Sequence, residues 1–262
     1  MRVFVFDLDG VIYRGNTLLP GVKNTLFSLE ERGYQLFFLS NNSTLSRKGY
    51  LKKLGKMGIK LKEEQLFPSS YLCALYFKTK EKINSKKVMI IGEKGLFEEL
   101  KKIKLKISFN PKKVGYVVVG MDRKINFRKL SAAYQAIKNG AKFIATNTDL
   151  TYPLEKTTIP AAGAIVKALE VSTGKKPLIL GKPETFGLEV ILKKTGHPPS
   201  QVVLVGDRLE TDIAAGNKLG VYTVLVLSGI SSIEDVKKAP SSLKPRSIIP
   251  ALPDLLSLKF NT

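Results

Sequence analysis

Residues 3–15 read VFVFDLDGVIYRG, a short apolar run that ends in two acids and a glycine. The run Val3–Phe6 lacks polar alternation, as expected of a strand covered on both faces. A turn after that strand accounts for an Asp and a Gly at its end. It does not account for a second acid in step with the first. Strand side chains alternate, so Asp7 and Asp9 share a side. Two anions on one side repel unless a cation or a proton lies between them. The stretch therefore raises the question of a metal at the end of a buried strand.

Working outward, the same pattern recurs. Apolar runs at 34–39 (YQLFFL), 87–91 (KVMII), 114–119 (VGYVVV), 142–146 (KFIAT), 177–180 (PLIL), 201–205 (QVVLV) and 222–227 (YTVLVL) alternate with helical patterns. That alternation is the signature of parallel α/β architecture. Helices are read at 20–33, with Pro20 near the start and Gly33 as the stop, at 126–140 and at 161–174, the last two ending on Gly140 and Gly174. The C-terminal stretch 237–256 is rich in Pro and Ser yet keeps apolar residues able to close a core.

Polar residues gather where the strands end. SNNST (40–44) follows YQLFFL, GKPE (181–184) follows PLIL, and GDRLETD (206–212) follows QVVLV. Ligands of open α/β sheets bind at the carboxyl ends of strands. Taken singly, each cluster has a plain structural use: Asp207 and Asp212 suit helix capping, as do Ser40 and its neighbours, and Lys182 suits exposure. Together they form a coherent chemical set. Asp7, Asp9 and Asp207 suit a hard cation with oxygen ligands, most plainly Mg²⁺. Ser40 with neighbouring amides at a helix start, and Lys182, suit a phosphoryl group.

Composition bounds the alternatives. A chain of 262 residues with 44% hydrophobic content reads as soluble and globular, without an apolar stretch long enough to span a bilayer or a secretory signal. Cys73 is the sole cysteine, which rules out an internal disulfide or a Cys-rich zinc site. A cytoplasmic location is the expectation. The net charge of +21 invites a nucleic-acid reading, and residues 84–175 carry 18 Lys and Arg against 7 Asp and Glu. Those lysines interleave with apolar positions, as on solvated helix faces, and no zinc-finger spacing or RNP-type motif is present. Neither nucleic acid nor a membrane is expected as partner, whereas small anions would be drawn to such a surface. High Lys with few Gln, Cys and Met is compatible with a heat-adapted source.

In order and strand context the motifs resemble those of the haloacid dehalogenase superfamily. DLDGVIYRG is similar to its first motif, Ser40 to the Ser/Thr of the second, Lys182 to the third, and GDRLETD to the acidic pair of the fourth. The middle segment, with TNTDLTYP at 146–153, looks like the α/β cap of the NagD-like, nitrophenyl-phosphatase branch, inserted between the second and third motifs. The resemblance covers nearly the whole chain. One departure stands out: where that branch usually has Gly after Pro, Pro160 is followed by Ala161 and Ala162.

The resemblance implies a Rossmann-like parallel-sheet core with an inserted α/β cap: core 1–83, cap 84–175, core 176–262. It implies a Mg²⁺-dependent phosphatase for a small phosphorylated metabolite. Asp7 would be the nucleophile that forms an aspartyl phosphate, and Asp9 the general acid and base, its backbone carbonyl also on the metal. Asp207 would supply a carboxylate to the metal, with Asp212 in support. Ser40, Asn41, Asn42 and Lys182 would hold the phosphoryl oxygens, and Asn147, Asp149 and Tyr152 would face the substrate from the cap. A homodimer formed through the cap is a further expectation. Two other readings stay open: a phosphotransferase or mutase on the same scaffold, and a basic nucleic-acid binder that keeps the fold. His197, the one histidine, lies in GHPP, remote from every motif, which disfavours a Ser-His-Asp triad. Cys73 is followed by ALYFKT, without the Arg of a cysteine-phosphatase loop, and is read as a core residue on a helix.

Overall fold

The computed structural model describes residues 1–81, 87–154 and 157–260. Val3–Phe6 is a central strand: all four side chains are fully buried. It pairs in parallel with Val202–Gly206 on one side and Gln35–Ser40 on the other. Tyr222–Val226 and Ser247–Ile249 extend the sheet beyond the first neighbour, and Leu66–Pro68 beyond the second, giving six parallel strands. The period of two explains why no residue of the central strand is polar. Phe4 and Phe6 join a core with Leu26 and Leu29 of the helix Val22–Glu31. Val3 and Val5 join another with Leu188 and Ile191 of the helix Phe186–Thr195.

A second sheet of four parallel strands runs in the order Leu178–Ile179, Lys142–Ala145, Val114–Val119, Lys87–Ile91. One face packs on the helices Phe127–Lys138 and Ala162–Thr173. The other packs on Lys94–Lys102 and on the helix Ser69–Lys80, through Cys73, Ala74 and Phe77. Leu72 of that same helix packs into the core of the first sheet. One helix thus belongs to both layers, and Cys73 is the buried helical residue expected.

All eight expected strands are present. PLIL differs in its partner: Leu178–Ile179 joins the second sheet, C-terminal to the expected 175/176 boundary, because Leu180 is buried in that sheet's core. The expected 83/84 boundary lies outside the described residues. Two core-edge strands, Leu66–Pro68 and Ser247–Ile249, are only three residues long and carry no readable period. Leu252 and Leu255 of the C-terminal stretch close the first core. Among the described residues no helix is long and apolar enough to cross a membrane.

The layers also meet at a backbone contact. Gly95 donates its N–H to the Thr44 carbonyl at 3.0 Å, and a Cβ on Gly95 would overlap the Leu45 backbone. Overpacking against backbone costs about 1–3 kcal/mol. Gly95→Ala should therefore lower the melting temperature by several degrees in calorimetry, and an unchanged Tm would show that this junction yields freely.

Candidate active site

Four strand ends converge on one cleft. The strand at Val3–Phe6 delivers Asp7, whose N–H still bonds Val205 O at 2.9 Å. The chain then turns at Gly10, which has φ 83°, and folds back so that the Tyr13 hydroxyl donates to Asp9 Oδ2 at 3.2 Å. Asp9 Oδ1 is buried and without a hydrogen-bond partner among the described residues. Gln35–Ser40 delivers Ser40, whose Oγ accepts from Asn42 N at 3.2 Å. Helix formation was expected to start here. Instead Asn42 Oδ1 accepts from both the amide and the hydroxyl of Thr44, turning the chain, and the helix begins at Arg47 with Ser46 as its cap.

Val202–Gly206 delivers Asp207, and a wide turn returns Asp212 to the same place. Ile213 N bonds Arg208 O across five residues, and Asp212 Oδ2 accepts from Arg208 N at 3.1 Å. A Cβ at Gly206 would collide with the Asp212 carboxylate, so the approach depends on glycine there. Asp207 is cradled likewise: a Cβ on Gly10 or on Gly229 would strike its carboxylate, and Ile230 N donates to its Oδ2 at 2.9 Å.

Lys182 reaches in from the segment that follows the second sheet. Its Nζ donates to Asp7 Oδ1 at 2.8 Å, to Asp212 Oδ1 and to the Leu39 carbonyl at 3.1 Å. It is buried, so the ammonium has exchanged water for these three partners. Burial opposes its charge, but Asp212 and Asp7 together push its pKa up. Burial raises Asp7 to about 7 against the pull of Lys182. Burial, then repulsion by Asp212 and Asp7, lifts Asp207 well above the carboxylate range. Burial raises Asp9 too, opposed by Lys53 and the Tyr13 hydroxyl.

This is an oxygen-only set short of positive charge. Carboxylate oxygens of Asp7, Asp207 and Asp212 lie within 4.8 Å of one another. Both oxygens of Asp212 are taken, by Lys182 and by the Arg208 amide, whereas protein hydrogen bonds among the described residues reach only one oxygen each of Asp7 and Asp207. Asp7 and Asp207 therefore fit a hard divalent cation such as Mg²⁺, with Asp212 placed to steady Lys182 beside it.

The other expected contacts divide. Asn41, Asn147 and Asp149 do come together, but on one another. Asn41 Nδ2 donates to Asp149 Oδ1 at 2.8 Å and to Lys182 O at 2.9 Å, and Asn41 Oδ1 accepts from Lys182 N at 2.9 Å. Asn147 Nδ2 donates to Asn41 O at 2.6 Å, and its Oδ1 accepts from Asp149 N at 3.1 Å. These side chains line the cleft while their hydrogen-bonding capacity goes to clamping the two layers. Burial lifts Asp149 to about 6, against the Asn41 bond and Arg208. Asn42 and Tyr152 line the cleft as expected, and burial pushes the Tyr152 hydroxyl up to about 12. Arg208 and Met121 also line it and were not singled out in the sequence; Arg208 donates to Thr151 O at 2.9 Å, a second tie across the layers. Pro160 closes a two-stranded hairpin with Thr151–Pro153. A close backbone approach in this region falls at Gly163, where a Cβ would meet the Thr148 and Asp149 carbonyls. His197 sits apart, against Gln35 and Gln201.

Known proteins share this fold. Residues 4–106 match the family model for haloacid dehalogenase-like hydrolase, and residues 179–255 match one for HAD-hydrolase-like proteins. The chain is 38% identical over 283 residues to phosphoglycolate phosphatase 1A, chloroplastic, of Arabidopsis thaliana, covering all of this chain and 78% of that protein. It superposes on the 4-nitrophenylphosphatase of Thermotoga maritima with a TM-score of 0.90 at 31% identity, covering 98% of this chain and 97% of that one. The glycerol phosphate phosphatase of Mycobacterium tuberculosis, solved in complex with magnesium, gives a TM-score of 0.88 at 27% identity, covering 97% of this chain and 75% of that one. The chain belongs to the haloacid dehalogenase-like hydrolases, in the branch that includes NagD and the nitrophenyl phosphatases.

Proposed function

We propose that this hydrolase cleaves small phosphate monoesters through an aspartyl phosphate on Asp7, with Mg²⁺ as cofactor. The observation that carries the reading is the Lys182 ammonium seated between Asp7 and Asp212, in a cleft where Asp9 and Asp207 make no ion pair among the described residues. Relatives named phosphoglycolate phosphatase, 4-nitrophenylphosphatase and acid sugar phosphatase support the substrate class.

Asp7, Asp207 and the backbone carbonyl of Asp9 would hold the ion, which when bound neutralises the carboxylates and the charge of the incoming phosphate. An oxygen of Asp7 attacks phosphorus as the ester P–O bond breaks. Asp9 gives the departing oxygen a proton from Oδ1, the atom without a partner among the described residues; the Tyr13 hydroxyl fixes the other oxygen of the same carboxyl group. Asp9 then takes a proton from water, whose oxygen attacks phosphorus and breaks the bond to Asp7. Lys182, the Ser40 hydroxyl and the amides of Asn41 and Asn42 hold the phosphoryl oxygens throughout. Asn41, Asn147 and Asp149 keep that cradle in register. Tyr152 meets the rest of the ester, and the segment bearing it, from the second sheet, serves as the lid.

Hydrolysis of 4-nitrophenyl phosphate should cease in excess EDTA and return with Mg²⁺; full activity in EDTA would sink the metal assignment. Lys182→Met should lower turnover by at least about a hundredfold, since it removes a charge aimed at the phosphoryl group, and a rate equal to the parent's would leave Lys182 a structural role alone. The two acids of the opening motif should separate. Asp7→Asn should form no phosphoenzyme. Asp9→Asn should lose about 10² to 10⁴ in turnover while accumulating a phosphoryl adduct on Asp7 with an activated ester, read by mass after acid quench. An adduct on any other residue would overturn the assignment.

A further inference from the structure

The cleft above the carboxylates is too small for an ester. Its free volume is about 40 Å³, room for a few waters or a phosphoryl group. The body of the substrate must lie elsewhere. Beside the cleft is a hollow of about 540 Å³, and Met121 and Ala161 line both. The floor of the hollow is apolar, with Ile125, Leu130, Ile159 and Ile165. The charges at its rim are already paired: Arg123 holds Glu93 through two bonds of 2.7 and 2.6 Å, and Asp122 holds Lys129 at 2.6 Å. Among the described residues that line the hollow, the one cation, Arg123, is thus already paired.

The hollow also shares the wall of Met121 and Ala161 with the cleft that holds Asp9. Met121 N donates to Ser43 Oγ at 3.3 Å, and Met121 lines the cleft together with Asp9, Asn42 and Tyr152. Asp9 is the proton donor to the leaving oxygen in the reading above. A third hollow, which is more polar and contains Arg14, abuts Asp207 on the metal side instead, and Arg14 is engaged with Ser228 O at 2.8 Å.

The geometry points to a leaving-group site for an uncharged, apolar alcohol or phenol body, formed by the hollow behind Met121 and Ala161. It rests on the phosphatase reading and narrows it to phosphate esters of apolar alcohols over carboxylated ones. Burial of a phenyl ring there is worth about tenfold or more in kcat/KM.

The test compares 2-phenylethyl, ethyl and 2-carboxyethyl phosphate, using the full chain with Mg²⁺. The expected result is a preference for the phenylethyl ester of at least about tenfold over either other ester. Ala164 and Ala168 line the hollow on exposed helix positions, so a larger side chain there does not burden the core. Ala164→Trp or Ala168→Trp should abolish the preference while ethyl phosphate stays within about twofold of the parent. Ala164→Lys should raise kcat/KM for the carboxyethyl ester. Equal rates on the phenylethyl and ethyl esters, a preference of the parent for the carboxyethyl ester, or a preference untouched by both tryptophans would overturn this site and leave the phosphatase reading standing. Failure to hydrolyse any of the three esters would overturn both.

Discussion

The structure depends on one buried ammonium. Lys182 Nζ lies among Asp7, Asp212 and the Leu39 carbonyl, groups that come from three different strand ends. Without it, these carboxylates would be stranded in a low-dielectric interior, and removing one partner from such a cluster leaves an uncompensated charge that costs several kcal/mol. Its position is as telling as its charge. Lys182 follows directly on the strand that edges the second sheet, so the ion pair forms only when the chain has left that layer and returned to the first. The charge network therefore selects the docked arrangement of the two layers, and the same contacts organise the groups proposed to bind a phosphoryl.

Around this cation the amide of Asn41 acts as a switchboard of fixed connections. It matches the backbone of Lys182 on both its N–H and its carbonyl, and it passes a third bond to Asp149 from the second layer. A side chain with every donor and acceptor so engaged positions its neighbours and leaves little for a ligand. The two layers share further ties in the helix Ser69–Lys80 and in the bond from Arg208 to Thr151. The lining of the cleft is thereby divided: the first layer presents Asp7, Asp9 and Asp207, and the second presents Met121, Tyr152 and Ala161.

What could be read from the sequence follows from geometry. Asp7, Ser40, Lys182 and Asp207 each come within two residues of the end of an apolar run, and strand ends of a parallel sheet meet, so their convergence was legible. The i to i+5 turn that returns Asp212 was not, because spacing alone does not distinguish it from an ordinary helical turn. Tyr13 stands inside the quoted motif, yet its bond to Asp9 exists only because Gly10 reverses the chain. Arg208 lies inside GDRLETD, where nothing in the spacing marks it as a tie to Thr151. Asn41 and Asn147 were recognisable as polar groups at the site, but residue type does not reveal that their capacity is consumed by each other. The partner of Leu178–Ile179 was hidden for a simpler reason: a two-residue strand has too little pattern to choose a sheet.

The glycines that surround the carboxylates carry a last consequence. Gly10 and Gly229 flank Asp207, and Gly206 faces Asp212, each so closely that a single methyl group would occupy the acid's place. None of the three bears a reactive atom. Tolerance to mutation across this chain should therefore track empty space more closely than chemistry. A family history that swaps one leaving-group pocket for another can proceed through the second layer, at exposed positions such as Ala164, while these three bare backbone positions stay closed to change.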